Sequence, residues 1–344
     1  MAVESLTIND IARLSGVSKK SVSRVLNDEK GVSDATRERV KAIMAQHGYR
    51  PDRRARALAA KRSYLVTLAY NNPNPTYVLG VLNGLLPIAN QAGYEVIVHP
   101  LPYPTDRGAG EALLAFARRS GCDGLILIPP LSESPDVLTK LSNARIPVVR
   151  IAGDDIDHDV PHVHFDDRAA ALEITSRLIQ SGHSRIGFIG GPADSGPTRR
   201  RLAGFRDALR AAALNASAEY EGFGQFTFLS GVEVGTRLLS LPQPPSAIMC
   251  CNDEMAAGVI NAAGQLGVSV PDQLAVTGFD DSPIAKEVWP PLSTVHQPVD
   301  DMAAAAGRLL LQSIEQPQSV APSVVNFSHS LVIRQSGCLS AGER

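Results

Sequence analysis

Thr7–Asp28 reads TINDIARLSGVSKKSVSRVLND, and the order of residue types within it decides the local fold. Thr7 precedes an apolar-periodic run and Asp10 follows three residues on, the pattern of a helix N-cap with a reciprocal capping box. Ile8, Ile11, Ala12 and Leu14 give that helix one apolar face. Ser15-Gly16-Val17 interrupts it, because glycine accepts the left-handed backbone that a sharp turn needs. Ser18 then caps a second helix, Lys19–Leu26, with Val22, Val25 and Leu26 inward and Lys19, Lys20, Ser23 and Arg24 outward. A third helix opens at Ser33-Asp34-Ala35-Thr36 and runs through Val40, Ile43 and Met44 to Gly48, a C-terminal stop. Three short helices with a tight glycine turn between the first two make a helix-turn-helix.

Charge supports a polyanion-binding use of that unit. Residues 1–62 hold 14 Lys and Arg against 7 Asp and Glu, whereas the remaining 282 hold 19 against 28. The net charge of −2 therefore conceals a basic head on an acidic body. Solvated lysines alone would explain a mixed face, but the outward side of the second helix is wholly basic or small and polar. Lys and Arg reach guanine edges and phosphates, and Ser hydroxyls hold the backbone. Pro51–Arg62, PDRRARALAAKR, follows as a linker. Its alanines favour helix, yet a dozen residues alone in water are marginal, and its crowded arginines repel until phosphates relieve them.

From Tyr64 onward buried strand-like runs alternate with helical stretches. The strands are expected at Tyr64–Ala69, Tyr94–His99, Gly124–Ile128, Val148–Ile151, Arg185–Ile189, Ala247–Cys250 and Leu274–Thr277. Helices fall between them, among them Tyr77–Ala92, Gly108–Ser120, Arg168–Ser181, Arg200–Ala213, Leu229–Leu241, Glu254–Leu266 and Asp301–Ser313. Alternation at this pitch predicts an α/β body of parallel sheets covered by helices. It restarts near His162–Asp166, so two similar lobes are expected. Ligand sites in such folds form outside the carboxyl ends of strands and between lobes.

Composition excludes other classes. A 44% hydrophobic content over 344 residues is ordinary for a globular protein of two or three domains. No run approaches the roughly 18 apolar residues of a membrane span. Met1–Leu6 carries Glu4 and no basic-then-apolar leader, which predicts a cytoplasmic protein. Cys122, Cys250, Cys251 and Cys338 have no CxxC spacing, so buried reduced thiols are expected. His158, His162 and His164 read as one solvated loop rather than a metal site, and no metal or cofactor is expected. There is no GxSxG, HExxH or phosphate-binding loop, and GFIGGPADSG lacks GxGxxG spacing, so an enzyme is not expected.

Several long motifs, in order, carry a family resemblance. TINDIARLSGVSKKSVSRVLND and VSDATRERVKAIMAQHGYRPDRRARALAAKRS are followed by RIGFIGGP, RLAGFRDAL, CNDEMAAGVI, VPDQLAVTGFDDSPIA and PPLSTVHQP. Together they resemble the LacI/GalR bacterial repressors from residue 6 to about 335. The resemblance implies a DNA-binding domain at 1–48, a hinge at 49–63 and an effector-binding body at 64–344. It places lobe 1 at about 64–163 and 296–325 and lobe 2 at about 164–295 and 326–338, with crossovers near 164, 295 and 326. On the DNA side it implies base reading by Lys19, Lys20 and Arg24. Thr7, Ser18, Ser21, Ser23 and Asn27 lie nearer the phosphates. Leu58, flanked by Ala55 and Ala59, is expected to wedge into the minor groove as the hinge orders on DNA. On the effector side it implies Asn74, Thr76 and Tyr77 in one lobe, and Arg201, Phe226, Asn252 and Asp280 in the other. Ile128 and Ala152 replace polar contacts of galactoside-binding members, which predicts a different ligand held with more apolar contact.

The expected protein is a repressor of near-palindromic operator DNA, controlled by a small carbohydrate-like effector. A periplasmic sugar-binding protein would share the body but lack the helix-turn-helix. Two heads are needed to read a palindrome. After Arg334 no leucine heptad follows, so a homodimer is expected.

Overall fold

The structure is a computed structural model that describes residues 6–26, 30–49, 62–103, 108–151, 160–316 and 323–337. Asn27, Ala55, Leu58, Ala59, Ala152, His158 and Cys338 lie outside the described residues. The chain divides into two compact units, Met1–Tyr64 and Leu65–Arg344.

In the first unit α1 spans Ile8–Ser15, α2 Lys19–Leu26 and α3 Asp34–Gln46. The expected capping box forms at Thr7: its Oγ1 accepts from the Asp10 amide at 3.4 Å, and its own amide donates to Asp10 Oδ2 at 2.9 Å. Gly16 ends α1 at φ 65°, as a left-handed cap. Ile11, Ala12, Val22, Val25 and Val40 form the core, flanked by Ile8, Val17, Leu26, Val32, Ile43, Met44 and Tyr49. A unit this small buries a modest share of its surface, so each of these side chains carries a large part of its stability.

The second unit holds two parallel sheets. The larger contains β1 Leu65–Tyr70, β2 Glu95–Pro100, β3 Gly124–Leu127, β4 Val148–Ile151, β5 His162–Phe165 and β11 Val324–Phe327. Their order is β11-β5-β4-β3-β1-β2, parallel throughout. The smaller contains β6 Ile186–Gly190, β7 Glu221–Phe223, β8 Ala247–Cys250 and β9 Ala275–Thr277, in the order β7-β6-β8-β9. Every residue of β3, β4, β6, β8 and β9 is buried, as expected of parallel strands covered on both faces.

Helices α4 Pro75–Gln91, α5 Ala109–Ser120, α6 Pro135–Asn143 and α12 Val299–Glu315 clothe the first lobe. Those of the second are α7 Asp167–Gln180, α8 Gly196–Ala211, α9 Phe228–Leu239, α10 Asp253–Gln265 and the short α11 Ile284–Glu287. Between the lobes β10 Thr294–His296 pairs antiparallel with β12 Ser330–Val332.

Among the described residues the chain crosses between the lobes three times: after β5, after β10 and between β11 and β12. The crossings are bundled. β10 and β12 pair, and Phe165 packs edge-on against both Phe279 and His329. His329 Nε2 also meets Glu173 Oε2 of α7 at 2.8 Å.

Two expectations are corrected. α8 starts at Gly196, with Pro197 in its first turn, rather than at Arg200, so Arg201 lies in its second turn and not at its opening. His162 and His164 sit on β5 inside the large sheet, and His162 is buried, so they are not a solvated loop. β5 completes the first sheet, and the second lobe begins with α7. No described helix is long and apolar enough to cross a membrane. Cys250 and Cys251 are fully buried free thiols whose pKa values burial pushes up, that of Cys251 to about 12.

Candidate functional site

The first unit presents one chemically distinct surface. At about 100° per residue, Lys19, Lys20, Ser23 and Arg24 occupy roughly 140° of α2, opposite Val22, Val25 and Leu26. Ser18, Lys19 and Lys20 are exposed; Ser21, Ser23 and Arg24 are half-buried. Ser18 is occupied as a cap, its Oγ accepting from the Ser21 amide at 3.1 Å and lying 2.9 Å from Ser21 Oγ. Thr7 is likewise held by Asp10, so each caps the start of its own helix. No acidic residue occupies the first turn of α2, which leaves its positive dipole end available to phosphate.

The second unit has a cavity between its lobes, lined by Asn72, Asn74, Tyr77, Pro129, Pro130, Asp167, Ser195, Pro197, Arg201, Phe226, Asn252, Asp280 and Gln297. Its enclosed space is about 40 Å³, and it opens to solvent at its mouth. Each lobe contributes strand ends: β1 and β3 deliver Asn72 and Pro129, and β6 and β8 lead to Ser195 and Asn252.

Arg201 is the centre of the electrostatics. It is buried, its Nε donates to Asp167 Oδ1 at 2.8 Å, and its Nη1 donates to the Cys251 carbonyl. The guanidinium lies 3.5 Å over the Phe279 ring, a cation–π contact, and Nη1 stands 3.8 Å from Asp280 Oδ1. Burial works against its charge, but Asp167 and Asp280 outweigh that and hold its pKa above the ordinary value. Asp280 adopts φ 108°, a conformation uncommon outside glycine, imposed where its amide donates to the Val295 carbonyl at 2.9 Å. Burial pushes its carboxyl well above the usual range, and its Oδ1 is buried without a hydrogen-bond donor. Burial, reinforced by the charges of Asp280 and Asp167, also pushes the Tyr77 hydroxyl up.

Phe226 lies against Gly191, where any Cβ would collide with its ring. Asn252 secures it, donating from Nδ2 to the Phe226 carbonyl at 2.9 Å and to Glu254 Oε2 at 2.8 Å. Its Oδ1 caps α10 through the Met255 amide at 3.1 Å. Asn252 is thus committed to shaping the cavity. Asn74 caps α4 through the Thr76 and Tyr77 amides and reaches across to Glu254 Oε2 at 3.4 Å.

The structure brings together six of the seven effector candidates; Thr76 lies outside this cavity and lines a neighbouring one with Leu79, Asp281 and His296. Ile128 is fully buried and does not line the cavity, whose apolar surface comes from Pro129, Pro130, Pro197 and Phe226. Sequence reasoning missed Asp167 and Gln297. Asp167 opens α7 directly after β5, so the strand-end rule would have found it had β5 been read as a strand. Gln297 follows β10, three residues long and too short for periodicity to register.

A second lobe-to-lobe contact sits beside the cavity. Arg200 Nη1 meets Glu133 Oε1 of the first lobe at 2.8 Å, and its Nε meets Asp167 Oδ2 at 3.0 Å. Tyr103 Oη donates to Asp194 Oδ1 at 2.8 Å. No group of three His, Cys, Asp or Glu suited to a metal ion occurs among the described residues.

A helix-turn-helix with a basic outer face, followed by a two-lobed α/β body with a polar cavity, defines a ligand-responsive DNA-binding regulator. Residues 7–52 match the bacterial regulatory proteins of the lacI family, and residues 175–337 match the periplasmic binding protein-like domain. The ribose operon repressor of Escherichia coli (strain K12) is 32% identical over 311 residues, covering 90% of this chain and 94% of that protein. The lac repressor dimer bound to operator and the anti-inducer ONPF superposes with a TM-score of 0.77 at 28% identity, covering 97% of this chain and 99% of that one. The CelR–cellobiose complex superposes with a TM-score of 0.73 at 29% identity, covering 96% and 100%. The chain belongs to the lacI family of bacterial regulatory proteins.

Proposed function

We propose that the protein is a cytoplasmic, homodimeric repressor whose affinity for a near-palindromic operator is set by a small carbohydrate-like effector held between the lobes. The observation that carries the effector reading is the convergence of Arg201, Asp280 and the Phe226 ring on one cavity between the lobes. A guanidinium and a carboxylate suit adjacent hydroxyls, and an aromatic face suits the apolar side of a sugar ring. The relatives support it: one is a ribose operon repressor, and another is solved with cellobiose.

On the DNA side Lys19, Lys20 and Arg24 read the major groove, and Ser21, Ser23 and Asn27 hold phosphates. Leu58, between Ala55 and Ala59, opens the minor groove as the hinge orders, coupling DNA affinity to the body. The body acts by binding and not by turnover. The test is a thermal-shift screen of the purified chain against mono- and oligosaccharides, with Asp280→Ala alongside, followed by operator titration with any ligand found. A sugar that stabilises only the wild type and shifts operator affinity is expected. Equal responses of both proteins across the panel overturn the reading.

A further inference from the structure

The cavity has a sign. Its lining carries two acids, Asp167 and Asp280, and one guanidinium, Arg201, which is engaged through Nε and Nη1. Arg201 spends Nε on Asp167, Nη1 on the Cys251 carbonyl and one face on Phe279, with Asp280 standing 3.8 Å away. Two acidic side chains therefore face one guanidinium, whose Nε and Nη1 are already engaged.

Hydrogen-bonding capacity points the same way. The amide groups around the cavity are engaged with the protein: Asn72 Nδ2 donates to the Pro129 carbonyl at 2.8 Å, Asn252 Nδ2 to the Phe226 carbonyl and Glu254, and Asn74 Nδ2 to Glu254 at 3.4 Å. The buried lining atoms without a hydrogen-bond partner are acceptors, Asp280 Oδ1 and Gln297 Oε1. Gln297 is 3% exposed, so bulk water does not serve it. A buried acceptor left unmatched is costly, and it is matched only by a ligand that donates. Behind this lining stands another acid, Glu254, bonded to both asparagines. The next cation outward, Arg200, is bonded to Glu133 and Asp167.

We infer that this cavity selects an uncharged, hydroxyl-donating polyol and excludes the carboxylate and phosphate derivatives of the same sugars. The inference rests on the carbohydrate reading above and adds the charge class of the ligand. A hydroxyl pair donates to Asp280 Oδ1 and Gln297 Oε1 where a carboxylate or phosphate would present lone pairs to lone pairs.

The experiment is calorimetric titration of the full chain with matched sets: glucose, glucuronate and glucose 6-phosphate; galactose and galacturonate; ribose and ribose 5-phosphate; cellobiose and cellobionate. Whichever neutral member binds, its acidic partners bind at least tenfold more weakly. Asp280→Asn, which replaces the carboxyl by an amide and retains an acceptor, narrows that gap. An acidic member that binds the wild type as tightly as its neutral parent overturns the inference and leaves the carbohydrate reading standing. A gap that persists unchanged in Asp280→Asn overturns the assignment to Asp280. Binding of none, neutral or acidic, overturns the carbohydrate reading itself and this inference with it.

Discussion

Replacing Glu133 by Gln tests whether the contact between the lobes is energetically real. Arg200 sits between Glu133 Oε1 at 2.8 Å and Asp167 Oδ2 at 3.0 Å, and the side chains of Arg200 and Glu133 are 12% and 9% exposed. At that burial the pair escapes most of the screening that makes surface ion pairs nearly worthless. Deleting one partner of a buried pair outright costs about 3–5 kcal/mol. Gln keeps a carbonyl for the guanidinium, so the loss is the difference between a charge-assisted and an ordinary hydrogen bond, about 1.5 kcal/mol.

For a body of this size that loss lowers Tm by roughly 3–6 °C. Because the partners lie in different lobes, it also disfavours the closed arrangement by about tenfold. Differential scanning calorimetry of Glu133→Gln, Arg200→Met and the double variant reads the coupling. In the Arg200→Met background the Glu133 change is expected to cost nothing, since the charge removed no longer faces a guanidinium. Equal costs in both backgrounds, agreeing within about 0.5 kcal/mol, would refute the contact.

Three more outcomes follow from the same geometry. Burial pushes Asp253 up to about 7. The folded chain therefore holds a proton that the unfolded chain releases above about pH 4, and stability present below that pH is lost as pH rises through the folded value. Calorimetry should show the Tm of the body falling from pH 5 to pH 8, less steeply in Asp253→Asn; a level or rising wild-type Tm contradicts this. Ile11→Ala, at a fully buried position of the helix-turn-helix core, should cost about 2–5 kcal/mol and melt the first unit, as read by amide exchange, while leaving the body's transition in place. Lys19→Ala and Lys20→Ala should each weaken binding to an operator selected from random duplexes. Each should also reduce the salt dependence of log K by about one; an unchanged slope would place that lysine away from the DNA.

The parts of the structure that were legible in the sequence are those settled within one turn of helix. The Thr7–Asp10 box, the left-handed Gly16 and the inward Val22 and Val25 each depend on neighbours three or four residues away. The α/β alternation was equally local, because β3 and β8 are wholly apolar runs bounded by turns and β4 departs from that only at Arg150. What escaped was set by distant partners. His162 and His164 looked solvated because their cover comes from a strand 162 residues further on, β11, which pairs with β5. Arg201 was placed at a helix opening because Gly196-Pro197 resembles the loop before it. Its inward course is fixed by Asp167 and Cys251, which lie 34 and 50 residues away. Asn252 was found at its strand end, but its commitment to the Phe226 carbonyl, 26 residues distant, could not be read locally.

The bundling of the three crossings bears on how energy moves through the body. A single tether would let the lobes twist, slide and tilt independently. Three tethers running side by side, two of them stitched by β10–β12 and the third pinned through Phe165, act as a leaf hinge. Such a hinge resists torsion and translation and leaves one soft angular coordinate. Under the proposed function, free energy gained when a ligand bridges Asp280 and the opposite wall is then not dispersed over many motions. It is delivered along one axis, with a lever arm that grows with distance from the hinge.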